Sequence, residues 1–221
     1  MEHDFWHRRW RKNEIGFHQQ EVNPYLVEHW PELQVPAGGT VFVPLCGKSR
    51  DMVWLRQQGY GIVGVELSEV ALKQFVREHR IEATHVTQGA FERWRADGYR
   101  LLGGDYFALA AADLGPLAAV YDRAALIALP PPLRRDYAAH LRALLPAGLP
   151  LLLVTVEYPQ HELDGPPFAV DQAEVMELYA PAWQPRLLAR HDILPDSKRF
   201  RERGVTRMHE AIYHLVSPGP Q

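Results

Sequence analysis

The sequence predicts an α/β fold with a mostly parallel seven-stranded sheet, an antiparallel last strand, helices on both faces and an N-terminal extension. Three observations predict it. Two apolar, β-branched runs, ending at Leu45 and Glu66, flank a helical stretch, which is the strand–helix–strand unit of a parallel sheet. The first run stops at Pro44-Leu45-Cys46-Gly47, and the second stops at a carboxylate about 20 positions after Gly47. That spacing marks the first half of a doubly wound nucleotide-binding fold, in which the acidic side chain takes ribose hydroxyls. Finally, the strand candidates at 186–192 and 206–215 are joined by a loop without a helical stretch, which favours an antiparallel hairpin over a crossover.

In chain order, the segment up to about residue 36 reads as an amphipathic extension rich in Trp, His and Arg. Strand candidates follow at 40–45, 61–66, 106–109, 118–122, 151–158, 186–192 and 206–215, with helical stretches at 49–58, 68–79 and 133–145. Ser68-Glu69 is a helix start and Gly59 a helix stop. Residues 84–104 carry polar alternation and Gly pairs, which predict a small hairpin inserted before the third sheet strand. With no internal repeat or low-complexity linker, residues 1–221 are expected to form a single domain.

Composition narrows the function. A net charge of −3 argues against nucleic acid or an anionic membrane as the main partner. A single cysteine excludes an internal disulfide and fits a reducing compartment. The N-terminus, MEHDFWHRRWRKNEIG, is too charged for a signal peptide, and the apolar run at 149–156 is too short to span a bilayer. The default reading is a cytoplasmic soluble protein, and a monomer is the expected state.

Several motifs reduce to bland readings. Gly47-Lys48-Ser49 suggests a phosphate loop, but the glycine required five residues earlier is Phe42, inside the strand. The dinucleotide fingerprint has only Gly47, which disfavours a pyrophosphate and hence a nicotinamide oxidoreductase. A cofactor with a ribose and no phosphates fits better, and S-adenosylmethionine is one. Cys46 has no His, Asn or Asp at a catalytic spacing. His209 and His214 stand five apart and His3 and His7 lack a third ligand, so no metal is expected. HRRWRK is one short basic–aromatic cluster on an acidic chain. Trp6 and Trp10 share a helical face, either docking on the core or walling a pocket whose aromatic faces attract a sulfonium. Asp122-Arg123 closes the run AAVYD at the carboxyl end of a strand, where ligands lie in open α/β sheets, or forms an ion pair fixing the next loop. Asp164 to Phe168, DGPPF, is a rigid wall or a turn.

VFVPLCGKSRDM, GIVGVELSE, FWHRRWRKNEIGFHQ, YDRAAL and the GPPF turn, in this order from about Phe5 to Leu215, together resemble the thiopurine S-methyltransferases, particularly their bacterial members. The resemblance implies a Rossmann-like class I methyltransferase fold with S-adenosyl-L-methionine as methyl donor and S-adenosyl-L-homocysteine as product. It implies cofactor contacts at Trp10, Leu45, Glu66 and Arg123, a backbone bordering the adenine at Ala110 and Ala111, and an acceptor contact at Phe17. Arg199, in DSKRFRERG, aligns with an arginine suspected of contacting the acceptor. Arg123 and Arg199 are the candidates for stabilising a thiolate, since a nearby cation favours the anion. The implied activity is S-methylation of thiopurines and other small aromatic or heterocyclic thiols. Methylation of selenium or tellurium compounds or of halide or thiocyanate ions is the alternative on the same fold. A non-catalytic cofactor-binding module is the alternative outside enzymes.

Overall fold

The computed structural model describes residues 3–180 and 182–216. The chain divides into two compact units, Met1–Tyr121 and Asp122–Gln221.

In the first unit, helix α1 (His3–Arg11) is followed by α2 (Pro24–His29) and a 3-10 turn (Trp30–Leu33). Strands β1 (Thr40–Val43) and β2 (Gly61–Glu66) pair in parallel, joined by α3 (Arg50–Gln57). Helix α4 (Glu69–Glu78) follows β2, and β3 (Thr84–Gln88), β4 (Phe91–Ala96) and β5 (Tyr99–Gly103) form an antiparallel meander. β5 pairs in parallel with β2, and β1 pairs in parallel with the start of β6 (Ala119–Arg123), so the unit's order is β3-β4-β5-β2-β1-β6. Val41, Phe42, Ile62, Val63 and Val65 are all at most 1% exposed. Consecutive buried residues mean that both faces of β1 and β2 are covered, as parallel strands require. Gly64 sits where a Cβ would lie 2.8 Å from the Cys46 sulfur and 3.1 Å from Leu101.

The second unit holds α6 (Pro131–Leu144), β7 (Leu151–Glu157), α7 (Gln172–Tyr179), β8 (Gln184–Asp192), α8 (Lys198–Arg201) and β9 (His209–Val216); the short α5 (Ala111–Leu114) belongs to the first. β9 is antiparallel to both β7 and β8, with Glu157 opposite His209. The hairpin expected at the end of the chain is therefore present.

The structure corrects the sequence reading in five places. The described residues hold nine strands rather than seven. The expected strand at 106–109 is a 3-10 turn (Tyr106–Ala108), because the Asp105 carboxylate caps it by accepting from the Phe107 N–H at 3.0 Å. The third parallel strand is β5, inside the segment read as an inserted hairpin. Helix α7 was missed, although Asp171 caps it by accepting from Glu174 N–H at 2.9 Å, and Asp-x-x-Glu is a helix-start signature. Finally, the later part of the N-terminal extension belongs to the core: Leu26, Trp30, Leu33 and Val35 are buried. The buried Asp51 carboxylate ties that segment down, accepting from the Asn23 N–H at 2.8 Å and the Tyr121 hydroxyl at 2.9 Å.

Candidate active site

The candidate site begins at the turn after β1. Leu45 has φ +46° and Gly47 φ +54°. A non-glycine residue in the left-handed region costs on the order of 1–3 kcal/mol and persists only where its surroundings hold it. Two hydrogen bonds hold this turn: Cys46 N–H donates to Val65 O at 2.9 Å, and Ser49 N–H to Cys46 O at 3.2 Å. The kink turns the Gly47 N–H onto the Glu66 carboxylate, at 2.9 Å from Oε2. The Ser68 N–H donates to the other oxygen, Oε1, at 2.8 Å. Glu66 thus ends β2 with both oxygens held by backbone, at 7% exposure.

Burial pushes the Glu66 carboxyl up to about 7, against the opposing pull of the Ser68, Gly47 and Leu67 N–H groups. The oxygens keep lone pairs beyond the two used, so the group can accept further hydrogen bonds from hydroxyl donors. Ser68, at the start of α4, is wholly buried, and its Oγ neither caps the helix nor finds another partner. The Cys46 thiol is raised well above its ordinary range by burial and by the Glu66 charge, which removes it as a nucleophile. The Lys48 ammonium is 2.7 Å from Glu78, an ion pair to the last residue of α4, so it serves the turn rather than a phosphate.

Aromatic side chains cover this turn. Trp10 is 3% exposed, and its ring would lie 3.2 Å from a Cβ at Gly47. Phe17 packs edge-to-face against Trp10 at 5.6 Å and Trp6 at 5.7 Å, and Trp6 meets Phe5 at 5.1 Å. Of the sequence-predicted residues, Trp10, Phe17, Leu45 and Glu66 are therefore assembled around Gly47. Ala110 and Ala111 lie further along the chain from β5, which passes Glu66 in register at Gly103. Both are exposed, and the Ala110 N–H donates to Asp113 at 2.9 Å.

The second unit holds the two arginines. Arg123 ends β6 half-buried. Arg199 is exposed on α8, its guanidinium 5.8 Å from the Phe200 ring centre. Asp122, expected at the mouth of a site, is instead fully buried: it accepts from the Tyr137 hydroxyl at 2.7 Å and Leu126 N–H at 3.4 Å, and burial raises its carboxyl to about 6. It anchors the loop after β6 through these two hydrogen bonds, where the sequence reading offers an ion pair with Arg123 as the means of fixing that loop. The DGPPF turn is fastened by Tyr158 hydroxyl to Pro167 O at 2.6 Å and by Phe168 N–H to Ile127 O at 2.7 Å.

Sequence reasoning missed Asp51 and the orphaned Ser68 hydroxyl. Asp51 looks like an ordinary helix-start charge, and nothing local links it to Asn23 and Tyr121. Among the described residues, no group of three or more His, Cys, Asp or Glu could hold a metal ion, and no helix is long and apolar enough to cross a membrane.

Comparison with known proteins gives the family and the fold. A family model described as thiopurine S-methyltransferase matches residues 1–217. A thiopurine S-methyltransferase from Nitrosospira multiformis is 50% identical over 217 residues, covering 98% of this chain and 99% of that protein. One from Pseudomonas paraeruginosa is 52% identical over 215 residues, covering 97% and 99%. Among solved structures, an S-adenosylmethionine-dependent methyltransferase from Anabaena variabilis superposes with a TM-score of 0.66 at 14% identity, covering 98% and 95% of the two chains. The 1,6-didemethyltoxoflavin-N1-methyltransferase of Burkholderia thailandensis, solved with S-adenosylhomocysteine, gives 0.64 at 15% identity, covering 97% and 86%. These two share the fold.

Proposed function

The chain belongs to the thiopurine S-methyltransferase family and is an S-adenosylmethionine-dependent methyltransferase, and from that premise we propose that it methylates the sulfur of thiopurines and other small aromatic or heterocyclic thiols. The observation that carries the reading is the Glu66 carboxylate, buried at the end of β2 and held by the Gly47 and Ser68 N–H groups. An acceptor-only group with spare lone pairs suits the vicinal hydroxyls of a ribose, and the turn lacks the glycines a pyrophosphate would need.

When bound, S-adenosylmethionine supplies a methyl group already activated on a sulfonium. Glu66 accepts the ribose hydroxyls, the Leu45 turn borders the methionine portion, and Ala110 and Ala111 border the adenine. Arg123 is carried over from the family resemblance as a further contact to the cofactor. Trp10 lies over the turn and excludes water, and Phe17, held edge-on between Trp6 and Trp10, offers an apolar surface to a flat acceptor. Holding two reactants in line is worth several kcal/mol of barrier. Arg123 and Arg199 favour the ionised thiol, whose proton leaves to solvent, since a guanidinium does not act as a base.

In this reading residues 1–221 work as one methyltransferase domain, with the extension up to residue 36 covering the site; the burial of Trp10 against Gly47 supports that cover. The protein acts in the cytoplasm as a monomer, without nucleic acid or membrane. Sedimentation showing a stable dimer would remove the monomer.

The direct test is calorimetry with S-adenosylhomocysteine followed by an acceptor screen with labelled methyl donor. Micromolar binding and turnover of a thiopurine or thiophenol are expected. No binding would sink the donor half, and turnover would eliminate a non-catalytic module. Volatile methylated products from selenium, tellurium or halide acceptors, in the absence of thiol turnover, would move the acceptor to the soft anions.

A further inference from the structure

Around Arg199 the second unit is fastened in a way that the reaction scheme does not use. The loop between β8 and β9 carries α8, and its far end is tied to the loop after β7 by one side chain. The Glu162 carboxylate accepts from the Thr206 N–H at 2.9 Å and from the Thr206 hydroxyl at 2.7 Å. Those two bonds hold the Glu162 carboxyl below its usual range, against the smaller effect of burial. Next to Thr206, Val205 is 5% exposed and donates its N–H to Phe200 O at 3.1 Å. Phe200 packs against the buried cluster of Val156, Tyr158, Leu163, Val205 and Met208, and the Arg199 guanidinium leans on the Phe200 ring. A continuous chain of contacts therefore runs Glu162, Thr206, Val205, Phe200, Arg199.

The loop that presents Glu162 is itself braced. Gln160 donates from Nε2 to Leu163 O at 2.6 Å and accepts at Oε1 from Ala169 N–H at 2.8 Å. Arg134, 2% exposed, donates to Ala169 O at 2.8 Å. Because β9 is antiparallel to β7 with Glu157 opposite His209, both loops stand at the carboxyl end of β7, the end of a strand at which α/β folds bind ligands.

We infer that Glu162 is a positioning residue for the acceptor: by clamping Thr206 it holds α8 in the one placement from which Arg199 meets the thiolate. The inference rests on the proposed role of Arg199. An exposed arginine on a four-residue helix has no stiffness of its own, since four residues are far below the length at which a helix is stable alone. Its placement must come from ties to other residues, and Glu162 supplies a polar one through Thr206, beside the Arg201 guanidinium that donates to the Leu194 and Pro195 carbonyls within the loop. Removing the tie leaves donor binding and chemistry intact and loosens only the acceptor, which is a loss of uniform binding that raises KM without lowering kcat.

The test measures acceptor KM, kcat and S-adenosylhomocysteine affinity in full-length wild type, Glu162→Ala, Glu162→Gln, Arg199→Ala and the Glu162→Ala/Arg199→Ala double variant, with 6-mercaptopurine and thiophenol as acceptors. Glu162→Ala should raise acceptor KM about five- to tenfold, leave kcat and S-adenosylhomocysteine affinity within about twofold, and be partly rescued by Glu162→Gln, which keeps one acceptor oxygen. The double variant should be no worse than Arg199→Ala alone, since the two act through one contact chain. An unchanged KM in Glu162→Ala, or additive losses in the double variant, overturns the inference while leaving Arg199's role standing. An unchanged KM in Arg199→Ala overturns the role of Arg199 and the inference with it. A lowered melting temperature without a KM change assigns Glu162 a structural role only, which also overturns it.

Discussion

Glu66 and Arg199 are the two ends of the proposed reaction, and they are built in opposite ways. Glu66 closes a strand buried on both faces, and two backbone N–H groups fix its carboxylate. Arg199 stands exposed on a four-residue helix and depends on Phe200 and a distant carboxylate. In the proposed reading the donor contact is preorganised by backbone and the acceptor contact by side-chain ties between loops.

Substitutions ordered by expected effect can break this contrast. The largest belongs to Glu66→Ala, which should weaken S-adenosylhomocysteine about hundredfold in calorimetry, two charge-assisted hydrogen bonds being worth about 1.5–3 kcal/mol each before compensation. Next is Asp51→Ala. It leaves the Asn23 N–H and the Tyr121 hydroxyl without their buried acceptor and should cost about 2–3 kcal/mol in chemical denaturation. Gly64→Ala should cost about 1–3 kcal/mol, because the new Cβ meets the Cys46 sulfur at 2.8 Å; an unchanged melting temperature would show that the turn yields easily. The smallest is Arg199→Ala, with acceptor KM raised severalfold and S-adenosylhomocysteine affinity unchanged.

The pH dependence sharpens the same contrast. The Glu66 carboxyl is raised from 4.5 to about 7 in the folded protein. The folded state therefore binds more protons than the unfolded one between those values, and this group's contribution to stability falls as pH rises through that window. Glu66→Gln should gain on wild type in melting temperature from pH 4.5 to about 7. Affinity for S-adenosylhomocysteine should move the other way in wild type, rising toward and above pH 7 as the carboxylate ionises. A parallel pH response in the Gln variant would assign the titration elsewhere.

How much was legible from sequence follows the same division. Gly61–Glu66 could be read as a strand directly from its apolar β-branched run, whereas Glu66 could also have been a solvated strand-end charge until the Gly47 and Ser68 N–H groups were seen to hold it. The segment at 106–109 was misread because Tyr-Phe-Ala-Leu has the composition of a strand, and four residues are too few for periodicity to separate strand from turn. The capping Asp105 decided it. Asp122 was placed beside Arg123 at a site mouth, but β6 is buried on both faces through Asp122, and the Tyr137 hydroxyl and Leu126 N–H hold its carboxylate in the core. Ties between residues far apart in sequence, such as Asp51 with Tyr121 or Glu162 with Thr206, leave no local pattern. The Glu162–Thr206 tie lies on the proposed acceptor side and the Asp51–Tyr121 tie in the first unit, and neither could be read locally.

The most direct test of the Glu66 assignment is a calorimetric cycle with two ligands and two proteins. S-adenosylhomocysteine and its analogue lacking both ribose hydroxyls are titrated into wild type and Glu66→Ala at pH 8. S-adenosylhomocysteine should lose about hundredfold on substitution, while the analogue should bind both proteins alike, because the hydroxyls it lacks are the ones Glu66 accepts. An equal loss for both ligands, or no loss for either, would contradict the ribose-binding role of Glu66.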